Sequence, residues 1–297
     1  MDREEILAQS PCFLTQDQRE TFYDQGYLAF PGLLGDEQLD PLRAALAGIV
    51  DLSRELSSSN NRFDLERGHS AESPRLRRAT YLDDLDPAFW DLCSASVVPD
   101  IAADILGPNV RFREIMANFK WAGGGAEVKW HQDIVFYPHT HVGTCQFLVM
   151  LEAVGPEQGP LQVVAGSHKG PIFEHYDDNG EWTGAIADAD LAALPLNEAV
   201  ALTGPAGTVS VHHSCTVHGS ASNMSASSRP AFVITYSAAD AIAYTAPPYP
   251  SSHYGALVRG HQPRHAHHEA LRMPLPPDWS GGYTSIFEHQ DQIDANQ

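Results

Sequence analysis

Val110-Arg-Phe-Arg-Glu-Ile-Met-Ala-Asn-Phe119 is the first long strand-like run of the chain, and together with the runs downstream of it this stretch decides the fold. Further strand-like runs recur at 127–130, 145–151, 161–164, 208–212 and 231–236, separated by turns rich in Gly and Pro. Many short strands punctuated this way are the pattern of a β-sandwich or barrel. Upstream the pattern is helical. Thr15-Gln-Asp-Gln18 has the form of a capping box, a helix runs on through Phe22 and Tyr23, and Gly26 ends it. Tyr27-Leu-Ala-Phe30 reads as a short strand, and a second helix starts near Asp36 with Leu39, Leu42, Leu46, Ile49 and Val50 on one face. Asp86-Pro87 opens another helix, and an apolar stretch over 97–106 stops at Gly107-Pro108. Helices first and strands afterwards predict a mainly β fold with flanking helices. The expected form is a double-stranded β-helix (a cupin-like jelly roll) with a helical N-terminal layer.

The chain is read as one domain over 1–297, with the helical layer mostly in 1–107, the jelly-roll core at about 109–240 and a tail over 245–297 expected to wrap the surface. The polar, arginine-rich stretch 53–80 reads as a loop or lid, and 171–206 as an insertion near the mouth of the barrel.

Hydrophobic residues make up 43% of the 297, enough for a sizeable core. The sequence contains no apolar run long enough for a membrane span, and its N-terminus lacks the features of a signal peptide. Cys12, Cys93, Cys145 and Cys215 have no CxxC spacing and read as reduced thiols of a cytoplasmic protein. A net charge of −20 argues against nucleic acid and anionic membranes as partners and leaves a small molecule as the expected ligand. Monomer and homodimer are equally open.

Chemistry concentrates at Val128-Lys-Trp-His131-Gln-Asp133-Ile134. Side chains alternate along a strand, so His131 and Asp133 face one way and Gln132 the other. A lone HxD is common, and a third ligand must come from a distant strand. His168, His175, His212, His213 and His218 compete. His218 is chosen because Arg229 stands eleven residues on, at the head of the apolar run Arg229-Pro-Ala-Phe-Val-Ile-Thr-Tyr236. A guanidinium at the mouth of a buried strand needs an anionic partner and can hold a carboxylate through two hydrogen bonds, with Ser220 placed to add another. His212 and His213 read as supporting or core histidines. Two histidines and one carboxylate on one face of a metal leave open positions suited to non-haem Fe(II).

Together these residues resemble the phytanoyl-CoA dioxygenase family of Fe(II)/2-oxoglutarate-dependent oxygenases. The resemblance spans roughly 14–238 and rests on Leu14-Thr-Gln-Asp-Gln-Arg-Glu-Thr-Phe-Tyr-Asp-Gln-Gly-Tyr27, Trp130-His-Gln-Asp133, Gly159-Pro-Leu-Gln-Val-Val-Ala-Gly-Ser-His-Lys-Gly170, and His218 with Arg229. It implies iron ligation by His131, Asp133 and His218. It implies that Arg229 and Ser220 bind the distal carboxylate of 2-oxoglutarate, and that Asn118, thirteen residues before His131, contacts the same cosubstrate. It also implies consumption of O2 and 2-oxoglutarate, release of succinate and CO2, and hydroxylation of a small molecule. The Gly-Ser-His-Lys segment reads as a structural turn, with His168 not a ligand. Asp133 favours hydroxylation over halogenation, in which a small residue replaces the carboxylate. Desaturation, epoxidation or cyclisation would use the same ligands.

For the substrate pocket the expected residues are Tyr137 and Val135, on alternate positions after Asp133, together with Lys120 and Arg78. Ile134, Phe136, His139, His141, Arg75 and Arg77 are weaker candidates. Basic residues in so acidic a chain suggest an anionic substrate. The competing reading pairs Arg75, Arg77 and Arg78 with Asp83, Asp84 and Asp86. A zinc-dependent hydrolase and a non-catalytic cupin-like binding protein are the alternatives from other classes. The hydrolase gives no reason for Arg229, and a binding module has no need of open metal positions.

Overall fold

A computed structural model of the chain describes residues 2–247, 250–279, 286, 287 and 290. Two antiparallel sheets face each other. The larger runs β1 (Tyr27–Phe30), β9 (Val209–His213), β6 (Thr144–Met150), β11 (Arg229–Ala238), β4 (Val110–Lys120), β3 (Leu76–Thr80) and β2 (Phe63–Leu65), and β12 (Leu257–Arg259) also pairs with β4. The smaller is ordered β5 (Val128–His131), β10 (His218–Ser220), β7 (Leu161–Val163) and β8 (Val200–Leu202). This is the expected double-stranded β-helix.

The helices α1 (Arg3–Leu7), α2 (Gln16–Gln25), α3 (Asp36–Ser53), α4 (Pro87–Ser94) and α5 (Val98–Leu106) precede β4 and cover the outer face of the large sheet. Thr15 and Gln18 form the capping box of α2, and Gly26 ends it in the left-handed region with φ 80°. Phe89, Ile101 and Ile105 meet Phe112, Phe147, Phe232 and Tyr236 in the main core. With its outer face buried there, the large sheet turns its other face toward the small sheet and the cavity between them.

Three expectations need correction. Residues 53–80 are not all loop: Phe63–Leu65 and Leu76–Thr80 extend the large sheet, with Arg78 opposite Asn118. A period-two pattern is hard to read in Leu76-Arg-Arg-Ala-Thr80, because this outer strand carries arginine at successive positions. The helical layer over 1–107 is therefore interleaved with three strands that belong to the large sheet. The tail also does more than wrap: β12 pairs with Val110 and Arg111, and His253 binds Asp83 while stacking on Trp90. Part of the 245–297 tail lies outside the described residues.

Candidate metal centre

The register of the small sheet builds the site. β5 and β10 are antiparallel, and His218 stands directly opposite His131, with ring centroids 4.1 Å apart. Gln132 is extended (φ −123°, ψ 132°), which carries Asp133 back to the side of His131 before a 3-10 turn begins. Ligand atoms of His131, Asp133 and His218 all lie within 4.8 Å of one another. His131 Nε2 is 3.6 Å from Asp133 Oδ1, and His218 Nε2 is 3.4 Å from Asp133 Oδ2.

Backbone carbonyls fix which nitrogen faces the centre. His131 Nδ1 donates to the Lys129 carbonyl at 2.8 Å and His218 Nδ1 to the Thr216 carbonyl at 2.9 Å. Each Nε2 is left with its lone pair aimed inward, the tautomer a metal requires. Asp133 accepts from His212 Nε2 at 3.0 Å, so the histidine beside the triad orients the carboxylate. Burial opposes ionisation of Asp133, but His218, His131 and His212 outweigh it and hold the carboxyl well below its usual range. Burial and the neighbouring His131 push His218 down. An ionised carboxylate with neutral imidazoles is the donor set that fits a divalent ion.

Gln132, on the opposite side of the strand, anchors the 171–206 insertion. Its backbone N–H donates to His175 Nε2, its amide donates to the carbonyls of Pro171 and Cys215, and it accepts from the Phe173 N–H. The insertion therefore braces the ligand strand from behind. His168 binds the Tyr23 carbonyl within the turn Ser167–Lys169 and takes no part in the centre.

The triad opens into a cavity of about 170 Å³ between the sheets. Its large-sheet wall is laid out in rows by the register. Glu114, Thr235, Gln146 and His212 form one row, and Met116, Val233 and Leu148 the next. Asn118 and Arg78 come after them, and Lys120 and Arg229 close the far end. Arg229 is 4% exposed, donates through Nη2 to the Gly159 carbonyl, and has no hydrogen-bond partner for Nε. Burial lowers its pKa to about 10, still charged at neutral pH. A buried guanidinium with an unused donor fits an anionic ligand. Asn118 Oδ1 also lacks a partner, and Ser220 lines the same end. Gly159 holds φ 61°, and a Cβ there would run into the Ala221 carbonyl, so the position has no room for a side chain.

The substrate-pocket expectations divide. Tyr137 and Arg78 line the cavity. Val135 does not. Asp133–Val135 is a 3-10 turn rather than a strand, so alternation fails there, and Val135 is buried beside Ile134, Trp182, Cys215 and Trp279. Lys120 lines the cavity, but its ammonium is held by the carbonyls of Ser220 and Ala221, which makes it a clamp between strands. Burial and Arg229 opposite lower its pKa to about 7. Arg75 pairs with Glu66 and Arg77 with Asp64, not with Asp83, Asp84 or Asp86. Arg113 and Gln146 also line the cavity without being sequence expectations. Gln146 sits in an apolar strand with nothing to mark it. Arg113 has a signal: in Val110-Arg-Phe-Arg-Glu-Ile-Met, the alternation slips phase between Arg113 and Glu114.

A jelly roll with two histidines and a carboxylate facing a cavity defines the class of non-haem metal oxygenases. The phytanoyl-CoA dioxygenase (PhyH) family model matches residues 22–231, and the chain belongs to that family. It is 32% identical over 231 residues to a probable alpha-ketoglutarate-dependent hypophosphite dioxygenase of Stutzerimonas stutzeri, covering 76% of this chain and 79% of that protein. It is 29% identical to the L-proline trans-4-hydroxylase of Streptomyces griseoviridis, covering 74% and 85%. The fold matches a crystal structure of EctD from S. alaskensis with bound Fe at a TM-score of 0.67 and 20% identity, over 84% of this chain and 87% of that one. The chain is an Fe(II)- and 2-oxoglutarate-dependent dioxygenase, with O2 as co-oxidant.

Proposed function

We propose that the whole chain acts as one oxygenase domain that hydroxylates a compact, anionic small molecule, with His131, Asp133 and His218 as the iron ligands. The observation that carries this reading is the shared cavity: the triad and the buried, under-bonded Arg229 face the same space. Arg229 and Ser220 would hold the distal carboxylate of 2-oxoglutarate, and Asn118 would contact it. Iron with 2-oxoglutarate and O2 supplies the oxidising power, and succinate and CO2 leave. The protein's part is to orient both imidazoles through the Lys129 and Thr216 carbonyls, hold the Asp133 carboxylate through His212, and line the cavity with the apolar Phe136, Leu148 and Val233.

Substrate size is set by space, since about 170 Å³ lies below the ~300–1,000 Å³ typical of drug-sized ligands. Charge is set by the lining. Among the described residues, three arginines (Arg78, Arg113, Arg229) face two carboxylates (Glu114, Asp133), while Lys120, tied to carbonyls and with its pKa lowered to about 7, adds less than a full charge. A ferrous ion and dianionic 2-oxoglutarate cancel each other, so positive charge is left over for the substrate. Hypophosphite and L-proline, after which two relatives are named, both carry an oxyanionic group. A cytoplasmic location is supported by four cysteines that are all free, and no described helix is long and apolar enough to cross a membrane.

The test is to add Fe(II) anaerobically to metal-free protein with 2-oxoglutarate. The expected result is a weak charge-transfer band near roughly 500–530 nm that His131→Ala abolishes. No band, with tight zinc binding instead, would return the hydrolase reading.

A further inference from the structure

Strand β4 carries one residue too many for its partner. On β11, Thr235 is opposite Glu114 and the next residue, Tyr236, is opposite Phe112. Arg113 is the extra residue of a β-bulge. Glu114, Met116, Asn118 and Lys120 face the cavity, while Ile115, Ala117 and Phe119 are in the core. Unbroken alternation would drive Arg113 into that core. The bulge leaves Phe112 packed against Tyr236 and turns Arg113 into the cavity instead. Bulges beside active sites commonly re-aim a side chain in this way.

The guanidinium so placed is held but not satisfied. Arg113 is 8% exposed and lies over the Tyr137 ring at 4.4 Å and near the Tyr254 ring at 5.8 Å. Its Nε is 3.6 Å from Glu114 Oε1, an ion pair too long for a hydrogen bond. Nε and Nη1 are buried with no hydrogen-bond partner. In the same row of the sheet, Gln146 Nε2 is a second buried donor without a partner. Unused buried donors cost about 1–3 kcal/mol each, so a cluster of them marks a missing acceptor.

That acceptor lies well away from the Arg229 end of the cavity, where the distal carboxylate of 2-oxoglutarate is proposed to sit. Thr235, beside the bulge, is six residues along β11 from Arg229, about 20 Å at strand rise. The row of Gln146 and Thr235 ends instead at His212, which touches Asp133. We propose that Arg113 is the specificity-determining anchor for an oxyanionic group, carboxylate or phosphorus oxyanion, of the oxidised substrate, with Gln146 as auxiliary donor. This deepens the proposed function and rests on it. Arg229 and Arg113 then hold two anions at opposite ends of the large-sheet wall. The stacked tyrosine and Glu114 fix the guanidinium plane before substrate arrives.

The test is calorimetric titration of inorganic phosphate and of acetate into the anaerobic enzyme loaded with Fe(II) and saturating 2-oxoglutarate. At least one anion should bind the wild type, and Arg113→Gln should weaken it about tenfold or more, with Arg113→Lys in between. Affinity for 2-oxoglutarate should stay within about twofold in both variants. The anion that depends more on Arg113 gives the chemical class. Three outcomes overturn the inference: neither anion binds the wild type, Arg113→Gln binds as the wild type does, or both variants lose 2-oxoglutarate in parallel. If the charge-transfer band persists in those cases, the oxygenase reading stands without this anchor. A wild type with no band overturns both.

Discussion

The two walls of the cavity are built on different principles. The small-sheet wall gathers its chemistry locally: His131 and Asp133 are two residues apart, and the histidine tautomers are set by the carbonyls of Lys129 and Thr216, each two residues before its histidine. The large-sheet wall gathers its chemistry through register across five strands, and it places Arg229 at one end of the β4–β11 pair and Arg113 at a bulge toward the other. The first wall needs short motifs, and the second needs long-range pairing held by the helical layer behind it. Metal affinity should therefore respond to changes close to the motif, and anion affinity to changes in the sheet.

The sharpest way to break this division is Arg229→Gln. It removes a charge-assisted contact of about 1.5–3 kcal/mol, so the Kd for 2-oxoglutarate should rise about 10- to 100-fold while Fe(II) alone binds as before. Parallel loss of Fe(II) affinity would mean the walls are not separable. His212→Phe tests the join between them, because its imidazole lies on the large sheet and its hydrogen bond goes to Asp133. Loss of such an orienting partner typically costs 10- to 100-fold in metal affinity. An effect toward about 10-fold is expected on Fe(II) titration, with the 2-oxoglutarate affinity of the metal-loaded enzyme little changed.

Acid should loosen both walls together. Burial lowers the pKa of His139, His175 and His213 to about 3, with help from Arg113, His131 and His168 respectively. In the unfolded chain each titrates near about 6.5. Below that value the unfolded state binds protons the native state refuses, so stability falls as pH drops from about 6.5 toward 3. Each histidine contributes up to about 1.4 kcal/mol per pH unit in that window. The thermal midpoint should therefore decline between pH 7 and 5, and a flat profile would contradict burial of neutral imidazoles. The smallest effect on ligand affinity is expected for Arg75→Ala. Its partner Glu66 follows the edge strand of the large sheet outside the cavity lining, so both affinities should stay unmoved while stability falls by about 1–3 kcal/mol as the largely buried carboxylate loses its partner.

The motif wall was legible in the sequence because strand periodicity alone puts His131 and Asp133 on one side. His218 was legible through its spacing to Arg229. The other wall was legible only in part. Arg229 stood out as a charge at the head of an apolar run, and Arg78 and Tyr137 were placed near the site. Val135 was misplaced because a 3-10 turn replaced the strand after Asp133. Lys120 lines the cavity as expected, but its tether was not legible because the carbonyls that hold it lie a hundred residues away. The 53–80 segment hid two strands, since an outer strand need not show an apolar face at every second position.

The sequence by itself determined the class of fold, the metal-binding motif and the excess of acid over base, all of which depend on residue type and short-range periodicity. Tertiary structure alone decided which basic side chains face the cavity and which are spent on carbonyls and carboxylates elsewhere. A side chain's partner is fixed by register between strands far apart in the chain. A single bulge at Arg113 shifts that register by one residue and turns a charge that would have entered the core toward the cavity.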